Sequence, residues 1–219
     1  MNVLKTLSLI LVVITSCLLS VNVFADDRKV KITTDIGSIE VLHNGKKVTI
    51  KRNQNPKNTI DADYALTSRH CPPFCIRPIK LAPGVETIGE LELMDYLQKT
   101  GADKSIMIID SRTPDWVARG TIAGAVNIPW TKLDAEKGAT DLDIEAIVVD
   151  EFGATVEDDK WDFSKAKTLV LFCNGMWCGQ SPRNIYSLLA LGYPAEKLKW
   201  YRGGMQTWHA LGLSTVKPN

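Results

Sequence analysis

Two short apolar runs, SIMIID at residues 105–110 and TLVLFC at 168–173, restrict the fold of this chain more than any other feature. Both have strand length. PDWVARG after the first and SPRNIYSLLALGY after the second have helical character, and GAVNIP adds a further strand between them. Short strands alternating with helices predict an α/β fold with a central, largely parallel sheet flanked by helices, because parallel neighbours need a crossover between them. Upstream, TIGE predicts a helix beginning at Thr87, with a hydroxyl cap and a glutamate following. Leu91, Met94 and Leu97 recur along it before Gly101.

A different pattern precedes that helix. From Asp26 to about Asn58 the residues alternate through KVKITT and SIEVLHNGKKVTIKR, and Asn44-Gly45 predicts a type I′ hairpin, whose two central residues need positive φ. Residues 53–86 are rich in Asn, Pro and other breakers and contain RHCPPFCIRP, which reads as a packed connector with little regular structure. Residues 131–167 are acidic and irregular around one apolar patch, IEAIVV, and read as an insertion or elaborated crossover. With 219 residues and 45% hydrophobic composition, the chain is long enough for one globular core with an appended element. The expected organisation is a leader over residues 1–25, an N-terminal β-hairpin extension with its CPPFC connector over 26–85, and an α/β domain over 86–219.

The leader, MNVLKTLSLILVVITSCLLSVNVFA, carries one charge, Lys5, ahead of a long apolar run ending in Val23-Phe24-Ala25. It reads as a secretory signal cut before Asp26, which places the mature chain in an exported compartment such as the bacterial periplasm. Two further readings are a retained membrane anchor and a lipoprotein box, Ile14-Thr15-Ser16-Cys17, whose cysteine would be acylated; only these two bring the chain to a membrane. Without Lys5 the chain holds 25 basic and 25 acidic residues, so no strong field recruits nucleic acid or an acidic membrane surface. Partner choice must come from a site.

Four cysteines remain in two local pairs, Cys71 with Cys75 and Cys173 with Cys178. In an oxidising compartment all four are candidate disulfide partners. For CPPFC the simplest reading is a local disulfide or packing against the connector, since its prolines stiffen the loop. A soft-metal site with His70 would have at most three ligands, and no metal is expected. LVLFCNGMWCGQSPR, residues 169–183, is chemically richer. A cysteine that ends a buried strand and precedes a loop entering a helix sits where loop amides and the helix N-terminus stabilise a thiolate and an anion beside it. Cys173 is thereby the candidate nucleophile. Asn174, Gly175, Met176, Trp177, Gly179 and Gln180 form the candidate anion-holding loop, and Ser181 is the expected helix cap with Pro182 in the first turn.

Two ordered motifs carry a family resemblance. IIDSRTPDWVARGTIAGAVNIP resembles the first signature of the rhodanese family, and LVLFCNGMWCGQSPRNIYSLLALGY with YRGGMQTW resembles the second, so the likeness spans roughly residues 86–216. It implies a rhodanese-like fold and a cofactor-free sulfurtransferase. In that family a cysteine, here Cys173, takes a sulfane sulfur from a donor such as thiosulfate or a polysulfide and passes it from a persulfide to a thiol or cyanide. Asp110 and Arg112 fall on the family's Asp-x-Arg pair, whose arginine supports the active-site region, and the resemblance places Trp208 against the core. The chain also departs from the pattern. Counting back from Gly192 in ALGY places Ser181 on the family's helix-opening serine, so Gln180 stands where an arginine is usual. The loop from Cys173 to Gln180, at eight residues, is longer than usual. Arg183 is the candidate substitute for the missing positive charge, the other reading being a solvated residue at the second helix position.

Three roles are open to Cys178: a structural disulfide with Cys173, a resolving thiol that attacks an oxidised Cys173, and packing. The resolving role needs a periplasmic redox partner to reopen the pair. Trp177 either walls the substrate pocket or fills space, and His43 and His209 receive no role. Rival functions are a thioredoxin-like oxidoreductase with Cys178 as attacking monothiol, a non-catalytic rhodanese-like binding or redox-sensing module, and a phosphatase on the same fold. Against the first, only 41 residues follow Cys178, too few for the rest of that fold. For the second, the missing loop arginine speaks in favour and the presence of Cys173 against, and the missing loop-end arginine opposes the third. The expected partners are a small sulfur-containing anion and a thiol acceptor.

Overall fold

The computed structural model describes residues 29–158 and 160–218. Alternating residues build the N-terminal hairpin from β1 (Ser38–His43) and β2 (Lys46–Lys51), paired antiparallel with Ile39 opposite Ile50 and Val41 opposite Val48. Asn44 at φ +50° and Gly45 at φ +75° make its turn, as a type I′ geometry requires. The connector follows with one 3-10 turn over Ala62–Tyr64.

The α/β domain then runs β3 (Glu86–Ile88), α1 (Glu90–Lys99), β4 (Ile106–Asp110), α2 (Pro114–Val117) and β5 (Val126–Asn127). After two 3-10 turns come α3 (Asp141–Ala146), a π-helical turn over Ile147–Glu151, and a small antiparallel pair, β6 (Thr155–Glu157) with β7 (Lys160–Asp162). The chain closes with β8 (Thr168–Phe172), α4 (Gln180–Ala190), β9 (Leu198–Tyr201) and α5 (Gly204–Ala210).

Five strands form one parallel sheet in the order β3-β9-β8-β4-β5. The pleat divides each strand between two cores. On one face Val170 and Phe172 pack with Leu93 and Leu97 of α1, Met205 and Trp208 of α5, and Ile39, Val41 and Ile50 of the hairpin. On the other, Leu169 and Leu171 pack with Ile185 and Leu188 of α4 and with Ile144, Val148 and Phe152. Both layers close over β8, with Leu169, Val170, Leu171 and Phe172 fully buried. Trp208 is likewise fully buried, where the family resemblance places it.

Three sequence expectations need correction. The first domain helix starts at Glu90, not Thr87. Thr87 lies in β3 and its hydroxyl donates to the Ile79 carbonyl, while Gly89 caps the helix and its N–H is accepted by Glu92 Oε2 at 3.0 Å. Residues 131–167 are more regular than their acidic composition implies: IEAIVV forms a helix whose Ile144 and Val148 are core residues. The helix after Cys178 opens at Gln180, so Ser181 lies inside its first turn rather than at the cap. Among the described residues, no helix is long and apolar enough to cross a membrane. The leader and its Cys17 lie outside the described residues.

Register sets the position of the site. Asp110 of β4 pairs with Phe172 of β8, which pairs with Tyr201 of β9, so the three strands end level. Arg112, Cys173 and Arg202 therefore emerge together at the carboxyl edge of the sheet, the usual ligand-binding side of an open parallel sheet.

Candidate active site

Cys173 follows β8 directly and is buried, with 2% of its surface exposed. The Ser181 hydroxyl donates to its sulfur at 3.2 Å, and Trp200 Nε1–H donates to the same hydroxyl oxygen at 3.2 Å. That second bond occupies the oxygen as acceptor and leaves its proton for the sulfur. The backbone N–H groups of Ser181 and Gly175 also donate to Cys173, whereas those of Gln180 and Asn174 donate to Cys178. The start of α4 and the loop thus aim amides at two sulfurs rather than one.

The two thiols are polarised in opposite directions. Burial pushes Cys173 up, but the Cys178 thiol, the Ser181 hydroxyl and the two amides outweigh it and bring Cys173 down to about 7. Cys178 is raised well above the ordinary thiol range, first by burial and then by the neighbouring Cys173 sulfur. Cys178 Sγ also has Gln180 Oε1 at 3.8 Å. A thiolate is the stronger acceptor, so the Cys178 proton turns to Cys173 when Cys173 ionises. As pH rises through about 7 the pair takes on one negative charge, centred on Cys173.

Asp110 and Arg112 form a fully buried ion pair behind the loop. Arg112 Nε and Nη2 contact Asp110 Oδ1 and Oδ2 at 2.9 and 2.6 Å, and Thr121 Oγ1 donates to Asp110 Oδ2 at 2.7 Å. The remaining guanidinium donors reach the Gly120 carbonyl at 2.7 Å, the Tyr64 hydroxyl at 2.9 Å and Asn174 Oδ1 at 3.5 Å. One cation therefore ties the first motif, the connector and the active-site loop together.

α5 holds the loop from behind. The N–H groups of Met205 and Gln206 donate to the carbonyls of Cys173 and Asn174, each at 2.9 Å. Gly204 makes this approach possible. Its φ is +56°, and a Cβ there would run into the Cys173 carbonyl oxygen and the Gly175 nitrogen. Gln206 then accepts from Trp177 Nε1 at 2.9 Å and donates to the Tyr64 carbonyl at 3.0 Å.

The connector roofs the site, which sequence reasoning missed. Cys71 and Cys75 are joined in a disulfide, while Cys173 and Cys178 are both free thiols. The disulfide leaves no thiolates for the alternative metal site with His70. Between the bonded cysteines, Phe74 meets Trp177 edge to face at 5.3 Å, and the Arg69 guanidinium lies 4.6 Å from the Phe74 centroid and 4.4 Å from that of Trp177. Arg77 N–H donates to the Met176 carbonyl at 2.9 Å, and the Arg77 carbonyl accepts from Arg202 Nη2 at 2.7 Å. The Arg77 guanidinium lies against Gly179, so closely that a Cβ there would sit 2.6 Å from Nη2.

Arg183 does not turn to the sulfurs. Its Nε bonds Asp134 Oδ2 at 2.6 Å, and its Nη2 bonds Glu136, so these two carboxylates hold it on the flank of α4. Ser181 serves Cys173 with its hydroxyl instead of capping the helix. Trp177 and Cys178 line a cleft between the connector and the loop, and Cys173 does not line it. His43 Nδ1 accepts from the Gly124 N–H, and His209 stacks on Tyr64, both away from the sulfurs. Only the arginine content of RHCPPFCIRP hinted at the roof.

No curated protein matches the chain at a significant level. Among solved structures, a human single-domain sulfurtransferase is 23% identical over 57% of this chain and 95% of its own, with a TM-score of 0.32. A rhodanese-related protein from Thermoplasma volcanium is 19% identical over 60% of this chain and 97% of its own, with a TM-score of 0.33. A protein of unknown function from Rhodopseudomonas palustris, described as a possible tyrosine phosphatase, is 19% identical over 69% of this chain and 100% of its own, with a TM-score of 0.40. The assignment rests on the family model for the rhodanese-like domain, which matches residues 93–211 and so takes in both motifs, the level strand ends and the thiol loop: the chain belongs to the rhodanese-like domain family.

Proposed function

We propose that the protein is a sulfurtransferase that carries sulfane sulfur as a persulfide on Cys173. The observation that carries this reading is the set of donors around that sulfur: the Ser181 hydroxyl at 3.2 Å, the Ser181 and Gly175 amides, and the Cys178 thiol. They lower the cost of a thiolate inside a buried site, and a thiolate is the form that attacks sulfane sulfur. Cys173 attacks the outer sulfur of the donor, the donor's sulfur–sulfur bond breaks, and its electron pair leaves with the rest of the donor. A thiol acceptor then takes the outer sulfur and returns Cys173 to the thiolate.

Cys178 is the gate and not the first nucleophile in this reading. Its thiol is held protonated beside Cys173, and it lines the cleft in front of the buried sulfur. Rotation of its side chain exposes Cys173 to the donor. Once Cys173 carries a persulfide, Cys178 gives its proton to the outer sulfur and its sulfur attacks the inner one; the Cys173 sulfur–sulfur bond breaks, hydrosulfide leaves, and the resulting Cys173–Cys178 disulfide is reopened by an exported dithiol reductant.

The test is mass spectrometry of the reduced protein after incubation with thiosulfate or a polysulfide, in wild type, Cys173→Ser and Cys178→Ser. One added sulfur on the Cys173 peptide of wild type and Cys178→Ser, absent from Cys173→Ser, is expected. No added sulfur on Cys173 with thiosulfate, a polysulfide or an organic thiosulfonate would overturn the proposal.

A further inference from the structure

The connector and the thiol loop enclose a cleft of about 600 Å³. That lies within the range of roughly 300–1,000 Å³ typical of sites for drug-sized organic ligands, and it is far more room than an anion as small as thiosulfate fills. Its walls are chiefly apolar, from Leu66, Pro73 and Phe74 of the connector, Trp116 of the first motif and Trp177 of the loop, and Cys178 lies at its base. No carboxylate lines it.

One cation does. Arg69 lines the cleft with its guanidinium fixed against the rings of both Phe74 and Trp177. Among the described residues, no carboxylate lies within ion-pair distance of it. Contact with two rings anchors the guanidinium, and with no carboxylate beside it its N–H donors are left for a ligand. The loop itself supplies no such charge, because Gln180 is neutral and Arg183 is bound by Asp134 and Glu136. Arg69 lies before residue 93, outside the segment that matches the family model.

We infer that this cleft binds an organic anion with an apolar body and a sulfur-oxygen or similar head, held by Arg69, and that the donor is accordingly an organic thiosulfonate-type sulfane anion rather than inorganic thiosulfate. The inference rests on the sulfurtransferase reading for its donor half and on the cleft alone for its binding half. The apolar body lies between Leu66, Phe74 and Trp116, and the oxygens of the head face Arg69. The Cys173 thiolate attacks the sulfane sulfur of R–SO2–S−, a Cys173–sulfur bond forms, and the bond from sulfane to sulfonyl sulfur breaks. Its electron pair leaves on the sulfinate, R–SO2−. Two anions enter and two leave, with no external oxidant or reductant.

Two measurements separate the halves. Calorimetric titration of reduced Cys173→Ser protein with benzenesulfinate and with sulfite tests the cleft without sulfur transfer. Benzenesulfinate is expected to bind more tightly than sulfite, and Arg69→Gln in that background is expected to weaken it about tenfold, the worth of one charge-assisted contact. Leu66→Asp, at a position 65% exposed where folding tolerates the change, places a carboxylate at the cleft and is expected to weaken it as well. Equal binding of the two anions, or binding untouched by both substitutions, would overturn the inference. In parallel, sulfur loading of wild-type Cys173 is compared between benzenethiosulfonate and thiosulfate. Faster loading by the organic donor supports the inference. Loading by thiosulfate with no gain from the organic donor sinks its donor half while the sulfurtransferase reading stands, and failure of both donors after benzenesulfinate has bound sinks that reading while the anion cleft stands.

Discussion

The Ser181 hydroxyl donates to Cys173 Sγ at 3.2 Å while accepting from the Trp200 indole N–H at the same distance. This places a first-turn helix residue in the role of thiolate stabiliser, with its proton direction set by a buried tryptophan. Cys173 titrates near 7 because of such donors, so its thiolate fraction rises as pH rises through about 7 and falls below it. Ser181→Ala removes one donor to a charged acceptor and is expected to move that midpoint up by about one pH unit. Iodoacetamide labelling of Cys173, followed by peptide mass spectrometry from pH 5 to 10, measures it; a midpoint unchanged by Ser181→Ala would refute the assignment.

Cys178 makes two contributions to the same sulfur, and they separate in one profile. Its thiol donates to Cys173, and the residue, 5% exposed, lines the cleft that Cys173 itself does not line. Cys178→Ala removes the donor, so the Cys173 midpoint rises, again by about one pH unit. The truncation also opens a path to the sulfur, so the limiting labelling rate at high pH increases. Ser181→Ala, by contrast, leaves Cys178 in place and raises the midpoint without the faster limit. A Cys178→Ala variant labelled no faster at high pH would remove Cys178 as gate.

What the sequence made legible is what short stretches specify. SIMIID and TLVLFC carry their own burial pattern, Asn44-Gly45 carries its own turn geometry, and Cys173 is marked by the strand before it and the helix after it. The roof is different in kind. Arg69 and Phe74 reach Trp177 across about a hundred residues of chain, and nothing local to RHCPPFCIRP says which loop it will cover. The same limit explains the errors at helix starts. Thr87 and Ser181 both look like caps, but Thr87 is drawn into pairing with β9 and Ser181 is turned toward a sulfur eight residues earlier. Arg183 failed as a substitute cation because Asp134 and Glu136, in the crossover read as irregular, fold back beside α4.

Arg112 offers a stability prediction with a built-in control. Its pair with Asp110 is out of contact with solvent, and Arg112→Leu leaves that carboxylate buried with Thr121 and the Arg112-position amide as its remaining donors. Stranding one charge of a buried pair costs about 3–5 kcal/mol, which urea denaturation resolves. Adding Asp110→Asn removes the stranded charge, so the double variant is expected to be more stable than Arg112→Leu alone. A single-variant cost below about 1 kcal/mol would mean that water reaches the pair and that Arg112 does not anchor the loop.

The Cys71–Cys75 disulfide and the Cys173 thiolate are mechanically close but chemically independent. Every donor that lowers Cys173 belongs to the loop or to α4, whereas the disulfide closes the connector segment that carries Phe74 and adjoins Arg69. Replacing both cysteines by serine frees a short loop, at a cost of about 2 kcal/mol by loop-closure entropy. Because the core strands and helices lie elsewhere, the loosening is expected to stay local: hydrogen exchange accelerates over residues 66–77 while β8 and β4 keep their protection. The Cys173 labelling midpoint is expected to remain near 7. Benzenesulfinate binding is expected to weaken, since an Arg69 no longer held against both rings must be ordered by the ligand. A midpoint that moves with the disulfide would show that the roof tunes the thiolate directly, and the division between a loop that makes the nucleophile and a connector that chooses its donor would fail.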